Sequence, residues 1–225
     1  MTEAEWLHHD EPDAMLEFVG KRLADRKLLL IVCGCCRVRS TYESGAAYMA
    51  EMFEKAADRS LDAHAKMSMM STFNELMQGN TLTFALRAMS GSEGSCLSLA
   101  RTAIGMIRQL EQQQATPQET PIAARKCENQ ANVVREIVGN PFSQNEFDPQ
   151  WRTSIVHDLT VTIDDERSWQ KLPILADALE DAGCDDTEML DHCRAEHAIH
   201  HRGCWAIDSI LGRITERNTG SLQER

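Results

Sequence analysis

Cysteine and histidine, two residue types that hold zinc in proteins, are concentrated between Gly183 and Trp205. Three of the eight cysteines and four of the eight histidines of the chain lie in this stretch. Thiolate sulfur and imidazole nitrogen are the donors of closed, tetrahedral structural zinc sites. This stretch is therefore where the sequence concentrates residues that can do chemistry.

The most regularly spaced donors form the pattern Cys184-x7-His192-x7-His200-x3-Cys204. Two thiolates and two imidazoles complete a tetrahedral zinc sphere and leave no position for water, which predicts a structural site rather than a catalytic one. The neighbouring residues that offer alternative donors are Cys193, His201 and His197.

Core packing is the competing interpretation of the same side chains. Gaps of seven residues match no standard zinc finger, and a free cysteine often behaves as a small buried hydrophobe. A second group, Cys33, Cys35 and Cys36, favours packing more strongly. Adjacent residues on a helix point about 100° apart, so Cys35 and Cys36 cannot chelate one ion without distortion.

A catalytic use of the C-terminal cluster is the alternative function. Cys204 with His192 or His200 would make a nucleophile and base pair, but a third orienting group and an oxyanion hole cannot be read from the sequence. The sequence contains no glycine-rich phosphate loop with its lysine. We therefore predict a non-catalytic helical interaction or scaffolding protein with a zinc site, and a metal- or thiol-dependent enzyme as the alternative. No catalytic residue and no cofactor other than zinc is assigned.

The amino-acid composition of the chain limits the kinds of binding partner that it is expected to have. The formal net charge is −12, from 35 acidic and 23 basic residues, and no basic stripe with interleaved aromatics is present, which argues against nucleic acid. The most apolar run, Leu28 to Cys36, is too short to cross a bilayer, and the first twenty residues do not resemble a secretory leader. These features predict a cytoplasmic protein, and helical faces rich in methionine suit a protein partner or a homo-oligomer.

The spacing of apolar residues predicts an all-α fold, an irregular multi-helix bundle with a small Cys/His-rich C-terminal subdomain. Apolar side chains recur at three and four residues through much of the chain, and no β-hairpin signal appears. We expect a helical bundle over residues 1–138, a C-terminal helical segment packed on the same domain over 139–213, and a frayed tail over 214–225. Roughly three helices are expected between Thr41 and Gln114.

Capping residues in the sequence predict where several helices begin or end. Thr2 with Glu5 has the spacing of a capping box, and Asp25 opens a strongly apolar segment for which we favour a buried helix over a strand. Asp148 followed by Pro149 predicts a helix start, with Ile155, Val156 and Leu159 behind it. In the C-terminal part, Gly183 is expected to close one helix, Asp186 or Thr187 to begin the next, and Gly212 to end the last.

Several motifs at the two ends of the chain carry a resemblance. They are the MTEAEWL start, the GNPF sequence of Gly139–Phe142, the LPILADALEDAGC sequence of Leu172–Cys184, and His192-Cys193-Arg194 followed by His200 and Arg202–Trp205. Together they resemble a planctomycete-type bacterial protein family with no known activity. That family usually has a glycine- and proline-rich loop before its histidine, where this chain has Ala195–Ile199. The resemblance implies a shared fold and assigns no function.

Overall fold

The computed structural model describes residues 1–40, 50–51, 53–55, 57–58, 100–101, 104–105, 130–143, 146–195 and 199–213. Over these residues the chain is predominantly helical and contains no β-sheet, which confirms the all-α prediction. The chain divides into two compact units, Met1–Arg135 with Glu216–Arg225, and Glu136–Thr215. Most of the helices predicted between Thr41 and Gln114, and the tail expected over 214–225, lie outside the described residues.

The first unit begins with helices α1 (Glu3–His8) and α2 (Pro12–Val19). The predicted capping box is confirmed: Thr2 N–H donates to Glu5 Oε2 at 2.7 Å, and Glu5 N–H donates to Thr2 Oγ1 at 3.3 Å. Later in the same unit, Arg135 Nη1 donates to the carbonyl oxygens of Trp6 at 3.1 Å and His9 at 2.7 Å. These bonds satisfy carbonyls that the end of a short helix leaves without partners.

Helix α3 (Asp25–Ser40) carries the apolar segment of the first unit, which confirms a helix rather than a strand. Its residues from Leu28 to Cys36 are all buried, as expected of a helix that is surrounded on all sides. Burial raises the pKa of the Cys33 thiol well above its usual value. A protonated, buried thiol is a packing group, in agreement with the interpretation of this cysteine cluster.

The second unit is built from short helices. Residues 130–138 are helical (α4), and the part of this helix from Glu136 onwards belongs to the second unit. The helices that follow are α5 (Ser154–Glu166), α6 (Leu172–Asp181), α7 (Thr187–Arg194) and α8 (Trp205–Leu211). Helix α6 packs against α5 and α7, and α8 packs against the same two helices. The core between them is formed by buried side chains that include Ile163, Leu175, Leu179, Cys193 and Ile207.

The ends of these helices follow the capping prediction. Asp186 Oδ1 accepts from the Met189 N–H at 3.2 Å and begins α7. Gly183 follows α6 with φ +86°, and Gly212 follows α8 with φ +65°. Both angles lie in the left-handed region, which glycine adopts without a side-chain clash.

The helix start predicted at Asp148 is wrong in its extent. Pro149–Trp151 form a single 3₁₀ turn, and a separate α-helix begins at Ser154. Arg152 between them has the non-helical angles φ −80° and ψ 63°, and the Thr153 hydroxyl accepts from the Val156 N–H at 3.3 Å. A threonine that caps the backbone competes with helix continuation, and here it restarts the helix three residues after Trp151.

None of the described helices combines the length and the apolar character that crossing a bilayer requires.

Candidate metal centre

Four potential metal donors of the second unit meet at one point. They are Glu136 on α4, His192 in the last turn of α7, His200 in the loop after α7, and Cys204, the residue that precedes α8. One ligand atom from each lies within 4.8 Å of the ligand atoms of the other three. Donors that are separated along the sequence therefore form a compact set in space.

Three separations between donor atoms are close to those of a tetrahedral centre. His192 Nε2 lies 3.0 Å from Cys204 Sγ and 3.7 Å from Glu136 Oε2, and His200 Nδ1 lies 3.0 Å from Glu136 Oε1. Zinc bonds of about 2.0–2.3 Å in tetrahedral geometry place neighbouring ligand atoms about 3.3–3.6 Å apart. Small side-chain adjustments thus suffice to surround one ion.

The group is sheltered from water. Cys204 is fully buried, and the side chains of Glu136 and His200 are 9% and 5% exposed. Two indole rings stand beside the imidazoles: the Trp205 and His192 centroids are 5.1 Å apart, and those of Trp169 and His200 are 6.4 Å apart. A cation bound among these side chains would interact with its donors in a low-dielectric environment, where charge–charge attraction is strong.

The pKa values of Glu136 and His200 are shifted in opposite directions when no metal is bound. Burial opposes the ionisation of Glu136, but the hydrogen bond from His200, together with the charges of His192 and His200 and the contact with Cys204, outweighs burial and lowers the pKa of the carboxyl. Burial also opposes the charging of His200, but contacts with Cys204 and Glu136 raise its pKa to about 9. Glu136 and His200 therefore form a buried ion pair at neutral pH.

The other two donors are held neutral in the metal-free chain. Burial lowers the pKa of His192, which favours the neutral imidazole, the form that binds a metal. Burial, together with the nearby Glu136 carboxylate, raises the pKa of the Cys204 thiol to about 12. A metal ion must displace the thiol proton before it binds the sulfur, since the thiolate is the ligand.

Local sequence explains why these side chains point at one place. On α7, Met189, Leu190 and Cys193 are buried in the core, and His192 lies one position before Cys193, about 100° around the helix. The chain then turns back at Gly203, which has φ +89°, and the Cys204 N–H donates to the His201 carbonyl at 3.0 Å. That turn brings Cys204 to the side of His192.

The structure brings together three of the four residues in the predicted pattern, namely His192, His200 and Cys204. Cys184 is not a member of the group. Its N–H donates to the Leu179 carbonyl at 2.9 Å, which closes the end of α6, and its side chain packs in the hydrophobic core. Of the alternative donors, Cys193 and His201 are buried outside the group, and His197 lies outside the described residues.

Glu136 takes part in the group although the sequence pattern did not include it. It lies 64 residues before His200, and the chain contains 35 acidic residues among which spacing alone does not distinguish it. A usable signal is its position between buried residues: Val133, Val134 and Ile137 on the same helix are all buried. A carboxylate on the apolar side of a helix needs a partner, because an unpaired buried charge is costly.

Comparison of the chain with protein-family models found no match, and neither did comparisons with curated proteins and with solved structures. The resemblance to a planctomycete-type family therefore stays a prediction.

Gly139→Ala is expected to lower the free energy of unfolding by about 2–4 kcal/mol. Gly139 has φ +77°, and an added Cβ would lie 3.0 Å from Trp205 Cγ, so strain in the left-handed region and a clash with the indole add together. Urea denaturation followed by circular dichroism measures the loss.

Gly183→Ala is the matched control for that substitution. Gly183 has φ +86°, but an added Cβ would meet no atom within 4 Å, so only the backbone strain of about 1–2 kcal/mol is expected. Equal losses for the two variants would contradict close packing of Trp205 against Gly139.

Proposed function

We propose that Glu136–Thr215 is a zinc-binding helical domain whose metal has a structural role. The ligands are Glu136, His192, His200 and Cys204. The observation that supports this proposal is the convergence of their four donor atoms within 4.8 Å in a buried setting. The experiment that tests it is the metal content of the purified protein.

A structural role follows from where the donors originate. They come from α4, from α7, from the loop after α7 and from the start of α8, so one ion cross-links four separate segments. Helices α7 and α8 have only eight and seven residues, which is short for a helix to be stable by itself. Zinc binding supplies folding free energy on the order of 10 kcal/mol in small domains.

Zinc is the metal that best suits this set of donors. One thiolate, two imidazoles and one carboxylate include both soft and hard ligands, and zinc accepts sulfur, nitrogen and oxygen in tetrahedral geometry. Calcium and magnesium prefer six or more oxygen ligands, and this group offers one carboxylate. Imidazole and thiolate together also allow cobalt to replace zinc, which provides a spectroscopic probe.

A closed, buried sphere supports a non-catalytic protein. Four protein ligands leave no position for a metal-bound water, whereas catalytic zinc sites keep one open. We therefore propose that the helical domain acts as a scaffold or interaction module, with a protein partner or a second copy of the chain as the binding partner. The metal in this proposal maintains the domain and does not touch a substrate.

A thiol-dependent enzyme is the second candidate function, because His192 Nε2 lies 3.0 Å from Cys204 Sγ, the distance of a nucleophile and its base. Against it, Cys204 is fully buried and its pKa is raised to about 12, while reactive cysteines are accessible and have lowered pKa values. Alkylation distinguishes the two functions. A catalytic thiol would react with iodoacetamide in the native protein, and a zinc ligand would react only after the metal is removed.

Protein purified without a metal-affinity column is expected to contain one zinc per chain by elemental analysis. The expectation follows from the closed four-donor set, which should retain the ion through gel filtration. Metal-free protein that also fails to bind added zinc or cobalt would overturn the proposal.

A further inference from the structure

A buried carboxylate next to the metal loop has no part in ligation. Asp164, near the end of α5, has a side chain that is 1% exposed. Its Oδ2 accepts from Arg213 Nη1 at 2.7 Å and lies 3.9 Å from Arg202 Nε. Arg213 also donates to the buried Asp208 at 3.3 Å. The negative charge of Asp164 is thus balanced by nearby arginines, as a buried charge must be, although Asp164 Oδ1 and Arg202 Nε make no hydrogen bond within the described part of the chain.

The two arginines lie within and after the segment His200–Leu211, which supplies two of the four proposed ligands. Arg202 lies midway between His200 and Cys204, two residues from each. Arg213 follows α8, the helix that Cys204 precedes, and its N–H donates to the Asp208 carbonyl at 2.9 Å. One oxygen of Asp164 therefore accepts a hydrogen bond from the arginine that follows α8 and lies at ion-pair distance, without a hydrogen bond, from the ligand loop.

We propose that Asp164 is a positioning residue for the metal centre, acting through Arg202 to hold His200 and Cys204 where they meet His192 and Glu136. This inference rests on the proposed zinc site. A ligand loop that is already fixed has little conformational entropy to lose on binding, so its affinity for the ion is higher. Asp164 belongs to a thirteen-residue helix whose inner face is buried in the core, which makes it a firm attachment point.

The test compares the zinc affinity of folded variants by competition with a chromophoric chelator. Asp164→Asn and Arg202→Gln are each expected to weaken zinc binding about ten-fold or more, the range seen when groups that orient ligands are lost. The double variant is expected to bind no more weakly than the weaker single variant, because the two residues act through one contact. Cobalt absorption spectra of the same proteins report whether the ligand geometry has changed.

Asp177→Asn is the matched control. Asp177 is an exposed carboxylate that pairs with Arg194 at 3.3 Å, so the substitution removes the same charge without touching the ligand loop. Its zinc affinity and cobalt spectrum are expected to equal those of the wild type.

Unchanged zinc affinity in the variants, or no zinc binding by the wild type, would overturn the inference. If Asp164→Asn and Arg202→Gln unfold more readily but keep the wild-type affinity and cobalt spectrum, Asp164 serves only the fold. If the wild type binds no zinc, the proposed function and this inference fail together. If the wild type binds zinc and the variants bind it with the same affinity, only the inference fails. If Asp164→Asn does not fold, Arg202→Gln decides: a ten-fold loss supports positioning, and unchanged affinity excludes it.

Discussion

Cys204→Ser is expected to abolish stoichiometric metal binding and the thiolate-to-cobalt charge-transfer absorption of the cobalt-substituted protein. Cys204 is the sole sulfur donor of the group and the residue from which α8 begins. A serine hydroxyl is a poor zinc ligand, so the loss should exceed the roughly 10–100-fold that removal of an outer, ligand-orienting group costs. Titration with cobalt, followed by zinc competition, measures both the affinity and the spectrum.

Two buried cysteines of the same unit provide controls of identical chemistry. Cys193→Ser changes the residue next to His192, and Cys184→Ser changes a donor of the pattern predicted from sequence. Both side chains pack in the hydrophobic core, so we expect some loss of stability for each but unchanged cobalt absorption. Loss of the charge-transfer band in Cys184→Ser, with retention in Cys204→Ser, would reverse the ligand assignment.

The helices of this protein could be predicted wherever local signals agree. Thr2 with Glu5, Asp186 and Gly212 all mark helix ends that the structure contains, because capping depends on residues within one turn. The prediction failed between Asp148 and Ser154, where two capping residues follow each other closely. Asp148 caps a 3₁₀ turn and Thr153 caps the helix, and sequence alone does not tell which cap a long helix will use.

The metal centre could be predicted only in part, for a physical reason. His192, His200 and Cys204 lie within thirteen residues of one another, so their proximity follows from a short helix and a tight turn. Glu136 reaches them only through tertiary packing, and its distance along the sequence from the other three residues follows no pattern from which it could be predicted. Cys184 has a suitable residue type, but the hydrogen bond from its N–H to Leu179 fixes it at the end of α6 and its side chain enters the core.

Removal of zinc by a chelator is expected to lower the melting temperature of the Glu136–Thr215 unit by more than about 15 °C. A ligand present at about 1,000 times its Kd stabilises the folded state by about 4 kcal/mol, and each kcal/mol shifts the melting temperature of a small domain by about 4–8 °C. Without the ion, Cys204 holds its proton and the ion pair of Glu136 and His200 stays buried without a metal. Acid acts in the same direction as the chelator, because protons compete with zinc for the thiolate and the imidazoles.

Tryptophan fluorescence detects this change at the centre, since Trp205 and Trp169 lie beside His192 and His200. Cys204→Ser provides the decisive comparison. If zinc stabilises the domain through this sulfur, the variant should melt near the temperature of the chelated wild type and should show no further shift with chelator. A wild-type protein whose melting temperature does not respond to the chelator would show that the four side chains are held together by packing and hydrogen bonds alone. In that case the ion pair of Glu136 and His200 and the contact between His192 and Cys204 would be enough to keep the four side chains close together.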